Sequence, residues 1–333
     1  MRGLVPGAVR RRLAGPVGRY RGARIRSRLA ALAAGGRPIL AGPWMGEVGF
    51  EILYWAPFLR WVASEFDIAP ERFWVLSRGG TSSWYGAAAG RYYDVFDYLS
   101  LEEFRAWHED RISETGEQKQ TRITDRERRL LDRVLETTGG GTDILHPGVM
   151  YELMNPFWWR HLDEGWVRRH TVYRRLERPP KVEGLTLPEQ YVAVKFYFND
   201  CFPPTDQNRD FVRRTIARLA QEGPVVSLSA GHALDDHGAC AVSAYGVLDV
   251  ADAAPAKNLQ VQSAIVAHAA SFVGTYGGFA YLAPFYGVPS TSYYGDPGGF
   301  ARSHLQMASA AFAAIGSPGL LEVRQTPDVS AWS

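Results

Sequence analysis

The residues of this 333-residue sequence best placed to do chemistry are two carboxylates beside glycines, a lysine within an apolar run, and a double-glycine turn. Glu47 lies in Gly46-Glu47-Val48-Gly49-Phe50-Glu51, where the missing Cβ atoms let a ligand approach the backbone. A carboxylate there can remove the proton from an attacking hydroxyl, or it can complement the start of the next helix. Glu51 carries the same two readings, and His237 is the alternative base. Lys195 is one of only four lysines, and it sits inside Ala193-Val194-Lys195-Phe196-Tyr197. An ammonium in such a run must meet an anion, pair with a carboxylate, or emerge at the edge of the sheet.

The turn Gly274-Thr275-Tyr276-Gly277-Gly278 ends one apolar run and opens another. Backbone N–H groups at the start of a helix carry partial positive charge, which suits a diphosphate. The other reading is a tight turn that needs glycine only for positive φ. Arg78, before Gly79-Gly80, can hold a phosphate or an acceptor's acidic group through two parallel hydrogen bonds, or brace a carboxylate. Asp236, in Asp235-Asp236-His237, reads as a contact to a donor's base or ribose, or as an ordinary helix cap. His268, on an apolar helix face, reads as a core histidine, and most of Trp44, Trp55, Trp61, Trp158, Trp159 and Trp166 read as core rather than as sugar-stacking platforms.

The absent motifs narrow the chemistry. There is no G-x-G-x-x-G and no P-loop G-K-[ST], which disfavours a standard dehydrogenase or P-loop kinase. No Asp-x-Asp, His-x-x-x-His or C-x-x-C occurs, so no metal site is predicted. The cysteines, Cys201 and Cys240, allow at most one bridge.

The elements that must position these groups follow an α/β pattern. Arg37-Pro38-Ile39-Leu40-Ala41-Gly42 and Phe73-Trp74-Val75-Leu76-Ser77 read as strands that end in glycine turns, with helical spacing between them that Pro57 should divide. Leu101 to Thr138 is polar and helical, and Gly139-Gly140-Gly141 breaks it. A second α/β series starts at Tyr191: strand 192–198, helix 211–221, strand 225–229, helix 261–270, strand 271–274, helix 279–286 and strand 288–294. The predicted fold is therefore α/β, two Rossmann-like domains facing a central cleft, with ligands beyond the carboxyl ends of the strands. The expected boundaries are a poorly ordered basic arm 1–36, an N-terminal acceptor domain 37–180, a linker 181–188, a C-terminal donor domain 189–325 and a tail 326–333.

Composition agrees with a globular chain: 46% hydrophobic and 22% charged residues exclude a disordered or fibrous protein. Residues 1–37 hold ten arginines and no acid, whereas the rest holds 27 basic against 35 acidic side chains, a net of −8. An acidic body argues against nucleic acid as its partner; the basic arm reads as a poorly ordered or loosely helical segment, with contact to anionic lipid or nucleic acid, or a targeting role, as alternatives. No apolar run is long enough to span a bilayer, so a cytoplasmic location, peripheral at the inner face of the membrane, is expected.

The segment from Gln262 to Pro289 resembles the donor-domain motif of GT-B glycosyltransferases, in particular the heptosyltransferase-like and fucosyltransferase-like branches. The matching positions are Gln262, Gly274, Thr275-Tyr276-Gly277-Gly278 and Gly287-Val288-Pro289, together with Lys195 in the first strand of that half. Gly46-Glu47-Val48-Gly49-Phe50-Glu51 likewise resembles a Gly-Glu-x-Gly-x-Glu turn of bacterial polysaccharide glycosyltransferases. The resemblance implies transfer of a sugar from a nucleotide-diphospho-sugar to a saccharide or lipid-linked acceptor in surface polysaccharide assembly, with no cofactor and no metal. It implies donor contacts at Lys195, Gly274, Thr275, Tyr276, Gly277, Gly278 and Asp236, acceptor contacts at Gly46 and Arg78, and a base among Glu47, Glu51 and His237. The turn lacks the Asp-Ser/Thr-Gly and the following histidine of heptosyltransferases, so heptose specificity is not implied. Two rivals are a polysaccharide pyruvyltransferase and a non-catalytic carbohydrate-binding or scaffold relative.

Overall fold

The computed structural model describes residues 7–115, 119–138, 140–159, 161–228, 238–239, 247–249 and 253–326. The chain forms two units, each built on a parallel sheet. The first comprises residues 1–45, 54–78 and 85–172, and the second 46–53, 79–84 and 173–333.

In chain order the first unit supplies α1 (Gly7–Ala34) and β1 (Ile39–Ala41); α2 (Val48–Phe50), which follows, lies in the second. Next come α3 (Ala56–Glu65), β2 (Phe73–Ser77), α4 (Ser82–Tyr85), β3 (Arg91–Asp94), α5 (Leu101–Thr115), α6 (Asp125–Thr138), β4 (Asp143–Leu145), α7 (Gly148–Trp158) and α8 (Glu164–Arg168). Strands run in the order β3-β2-β1-β4, all parallel, with Leu40 paired to both Trp74 and Ile144. β1 and β2 are buried at every position, as parallel strands covered on both faces must be, and this is why they read as unbroken apolar runs. Pro57 stands in the first turn of α3, where its missing N–H costs nothing, and a π-helical turn over Glu51–Trp55 precedes it.

The tryptophans of this unit are mostly core. Trp44 and Trp55 stack at 5.7 Å and are fully buried, Trp61 and Trp166 are nearly so, and Trp159 is exposed.

The basic N-terminal segment is not a poorly ordered arm. From Gly7 onward it is helical, and Ile25 and Leu29 are 2% and 1% exposed. Gly22 leaves room for the Trp166 ring, so α1 lies against α7 and α8 as part of the first unit. The arginine count hid an apolar stripe at Ile25 and Leu29 that is enough to dock the helix.

The polar stretch 101–138 is two helices. Thr124 and Glu127 close α6 reciprocally: the Thr124 N–H donates to Glu127 Oε2 at 2.7 Å, and the Glu127 N–H to Thr124 Oγ1 at 3.3 Å. Glu127 is fully buried and also accepts from Gln120 Nε2 at 2.7 Å. Gln120 holds the loop after β1, accepting from the Met45 N–H at 2.9 Å and donating to the Pro43 carbonyl at 2.9 Å. His146 Nδ1 accepts from the Gly148 N–H, which leaves Nε2 carrying its proton toward Glu127 Oε1 at 3.5 Å.

The second unit continues with β5 (Val192–Lys195), β6 (Tyr197–Phe198), α9 (Asp206–Glu222), β7 (Val225–Ser227), β8 (Gly238–Ala239), β9 (Val247–Asp249), α10 (Asn258–His268), β10 (Ser271–Thr275), α11 (Gly278–Phe285), β11 (Ser290–Tyr294), α12 (Arg302–Ala314) and β12 (Leu321–Gln325). Its main sheet has the order β12-β11-β10-β5-β7-β9 and is parallel throughout, while β6 and β8 form a separate antiparallel pair. The run 192–198 is thus two strands in two sheets. Between the helix and the sheet, Val194, Phe196, Phe202, Val212, Ile216 and Val225 form a core.

The boundaries differ from those expected. Residues 173–188 are grouped with the second unit; ahead of the expected linker 181–188, the Leu176 N–H donates to the Phe285 carbonyl at 2.9 Å, and His268 Nε2 lies 2.9 Å from the Pro179 carbonyl. The latter contact agrees with a core role for His268. Gly46–Leu53 and Gly79–Trp84 also belong to the second unit rather than to an N-terminal acceptor domain. The Gln260 N–H donates to the Gly79 carbonyl at 2.8 Å, and Trp84 Nε1 to Ser263 Oγ at 3.1 Å, fastening that second segment to α10.

Two stability outcomes follow. Leu29→Ala should cost about 2–5 kcal/mol and lower the thermal midpoint, whereas an undocked arm would show no change. Burial alone would raise the Glu127 carboxyl, but its bonds from His146, the Thr124 N–H and Gln120 outweigh this and hold it below its ordinary 4.5. Its contribution is therefore complete above pH 4.5 and is lost as pH falls through the lowered native value. The stability gap between wild type and Glu127→Gln should narrow correspondingly in acid, measured by denaturant titration across pH.

Candidate functional site

The second unit gathers most of the sequence-nominated residues at the carboxyl ends of β5 and β10. These strands are neighbours, and Gly274 is the register partner of Lys195. The reason for glycine at 274 is local: a Cβ there would stand 2.1 Å from the Lys195 carbonyl oxygen.

Lys195 is half-buried, and its ammonium is held on three sides. Nζ donates to Gln262 Oε1 at 2.5 Å, lies 3.4 Å from the Leu228 carbonyl, and stands 4.3 Å from the centre of the Phe279 ring. Gln262 Nε2 in turn donates to Asn258 Oδ1 at 3.0 Å, so α10 orients the amide that receives the lysine. Phe279 is the second residue of α11. The cation therefore sits at the first turn of a helix whose own N-terminus is positive.

The turn itself divides into two pairs. Thr275 is fully buried, and its hydroxyl donates to the Tyr197 carbonyl at 2.8 Å and accepts the Tyr197 N–H at 3.0 Å. The Tyr276 N–H donates to the Tyr293 carbonyl at 2.9 Å, its hydroxyl reaches the Ala301 carbonyl at 3.3 Å, and burial holds that hydroxyl's pKa above the usual value. Thr275 and Tyr276 thus anchor the turn to β6 and β11.

Gly277 and Gly278 head α11, where the first N–H groups have no carbonyl of their own helix to meet. Both glycines are demanded by close approach. At Gly277, φ is +151° and a Cβ would lie 2.1 Å from the Tyr197 hydroxyl oxygen. At Gly278, a Cβ would lie 2.7 Å from the Gly49 nitrogen and 2.8 Å from Val48 Cβ.

That last contact brings the N-terminal glycine turn to the same place. Gly46 and Glu47 are half-buried. Glu47 occupies the cap position of α2 with extended backbone, yet its side chain makes no capping hydrogen bond. Glu47 thus stands at the helix start, where its charge can complement the first turn, without a capping hydrogen bond. Glu51, four residues on, is fully buried and accepts from Thr81 Oγ1 at 3.3 Å, which ties α2 to the 79–84 segment. Arg78 is fully buried in the first unit, directly after β2. Asp236 and His237 lie outside the described residues. Among the described residues, no group of three or more His, Cys, Asp or Glu side chains is arranged to hold a metal ion.

Sequence reading missed Tyr197, Phe279 and Thr81. Only Phe279, an aromatic directly after a double glycine, left a trace in the sequence.

No family model and no curated protein matches the sequence. Among solved structures, the chain is similar to the Escherichia coli ADP-heptose lipopolysaccharide heptosyltransferase II, at 12% identity and TM-score 0.44 over 86% of this chain and 90% of that one. It is also similar to an E. coli heptosyltransferase with ADP, at 14% identity and TM-score 0.41 over 87% and 93% of the two chains. A glycosyl transferase family 9 protein from Veillonella parvula matches at 12% identity and TM-score 0.42 over 88% and 87%.

The close packing at Gly277 makes a direct check. Gly277→Ala should destabilise the protein by about 1–3 kcal/mol, and part of that loss should return when Tyr197→Phe removes the opposing hydroxyl. A denaturant-based double-mutant cycle showing strict additivity would sink this account of the turn.

Proposed function

We propose that this protein is a glycosyltransferase that takes a sugar from a nucleotide-diphospho-sugar and transfers it to a saccharide or lipid-linked acceptor. One observation carries the reading: the Lys195 ammonium and the N-terminus of α11 converge within one helical turn, with Nζ 4.3 Å from the Phe279 ring. A lysine beside the positive end of a helix makes a place that attracts anions. A diphosphate has the charge and length to bridge a lysine and the amides of a helix start. In this reading Gly277 and Gly278 offer their N–H groups, while Thr275, Tyr276 and Gly274 shape the turn that presents them.

The chemistry follows from charge flow. As the bond from the anomeric carbon to the diphosphate oxygen breaks, negative charge grows on the leaving group. Lys195 and the α11 amides face that charge in the ground state and stabilise it further in the transition state. With a cation and oriented dipoles in place, the proposed reaction has no obligatory metal. The acceptor hydroxyl loses its proton to Glu47, the residue before Val48, which packs on Gly278. Glu51 is assigned a bracing role because its carboxylate is fully buried and bonded to Thr81. Surface polysaccharide assembly is the setting this reading favours.

Calorimetric titration with UDP, GDP and ADP tests it. One of the three should bind, and Lys195→Met should weaken that binding roughly ten- to hundredfold. Silence to all three would favour a pyruvyltransferase or a non-catalytic relative and defeat the proposal. With an active donor in hand, Glu47→Gln should lower kcat by about 10²–10⁴ and leave nucleotide affinity unchanged; full activity would remove Glu47 from the role.

A further inference from the structure

The outer face of α1 remains unexplained by a nucleotide site. Gly18, Gly22, Ile25 and Leu29 are buried and repeat at intervals of four, three and four, so they form the stripe that faces the first unit. At 3.6 residues per turn, Tyr20 falls on the opposite side. Its ring is 73% exposed. Ser27 and Ala31 continue that outward line and are also exposed. Two pairs of arginines at seven-residue spacing flank it, Arg19 with Arg26 on one side and Arg21 with Arg28 on the other. Arg24 lies between them, paired to Glu152, and Arg26 is paired to Glu65. Arg19, Arg21 and Arg28 are exposed at the helix surface.

A second exposed aromatic stands nearby in the fold. Trp159 follows the last residue of α7, and it is 56% exposed. The segment around it touches α1: a Cβ on Gly18 would meet Pro156 and Leu162 at 3.2 Å. Among the described residues, only Tyr20, Ile123, Trp159 and Leu248 are exposed large hydrophobics, and two of the four flank this α1–α7 contact. Asp163 and Glu164 follow this segment, and Arg168 and Arg169 lie one turn beyond them. With ten arginines and no acid in residues 1–37, the field over α1 is positive.

We infer that α1 lies flat on an anionic bilayer surface, with Tyr20 and Trp159 entering the headgroup region and Arg19, Arg21 and Arg28 meeting lipid phosphates. Rings with an apolar body and a polar tip settle at the bilayer interface, and arginine stems reach along them while the guanidinium stays with the headgroups. A nucleic acid would also satisfy the arginines and could stack on the rings, so binding to it is an outcome that the test below separates. Among the described residues no helix is long and apolar enough to cross a membrane, so the contact is a surface one. This inference does not rest on the proposed chemistry and stands or falls separately from it.

Flotation of the full chain with vesicles tests it. Vesicles of phosphatidylcholine with phosphatidylglycerol should carry the protein, and phosphatidylcholine alone should not. Each arginine near an anionic surface contributes about fivefold, so Arg19→Ser, Arg21→Ser and Arg28→Ser together should weaken binding roughly a hundredfold. Tyr20→Ser with Trp159→Ser should also release the protein while leaving its circular dichroism unchanged, since both rings are exposed. Raising salt to 1 M, where the screening length falls to about 3 Å, should abolish binding. Equal affinity for neutral vesicles overturns the inference. So does tight binding to duplex DNA that the aromatic substitutions leave untouched while vesicles go unbound.

Discussion

The second unit depends on one steric condition: two stretches of backbone pass each other where neither has a side chain. A Cβ on Gly278 would collide with the Gly49 nitrogen, and one on Gly49 would press on Gly278 at 3.3 Å. Because both positions are glycine, the Gly46–Leu53 segment can lie against the start of α11. The condition propagates. Gly277 gives its space to the Tyr197 hydroxyl, and Tyr197 is bonded twice to Thr275. Gly274 gives its space to the Lys195 carbonyl, which sets how closely β10 runs beside β5. Glycines that read as open room for a ligand are largely filled by the protein itself. What they make available is placement of the α11 amides and of Lys195 rather than an empty cradle.

That distinction decides which parts of the turn can act on a ligand. A hydroxyl bonded to two main-chain groups, as in Thr275, has no geometry left for a phosphate. The Tyr276 N–H, joined to β11, is equally occupied. The first N–H groups of α11 differ because helix geometry itself denies them a partner. Lys195 is the complementary case. An amide oxygen, a carbonyl and an aromatic ring orient its ammonium toward the start of α11.

Much of this was legible in the sequence, and the failures share a cause. The buried strands β1 and β2, and the largely buried β5 and β10, announced themselves because parallel strands are apolar on both faces. Short strands with mixed exposure, such as β4 at Asp143–Leu145 and β3 at Arg91–Asp94, did not. The break between β5 and β6 was invisible because Phe196 continues the apolar run while the chain moves to another sheet. The segments 46–53 and 79–84 were assigned by their position in the chain, yet contacts to residues about two hundred positions away hold them. No local pattern encodes such contacts. α1 was misread for a compositional reason: arginine density masked the Ile25–Leu29 stripe that docks it.

The comparison of Glu47 with Glu51 shows why spacing alone could not settle the site. Both are glutamates in one glycine-bounded motif, four residues apart, and an α-helical continuation would set them on the same face. The Glu51 N–H does reach the Glu47 carbonyl at 3.1 Å, but Glu47 has extended backbone at the cap position, outside the helix. Glu51 is buried, where Thr81 meets it, while Glu47 stays half-buried ahead of the helix. Stripping water from a carboxylate costs several kcal/mol unless bonds replace the water; Glu51 bears that cost as a fixed strut. A base must instead exchange its proton with solvent after each cycle, so partial exposure favours Glu47.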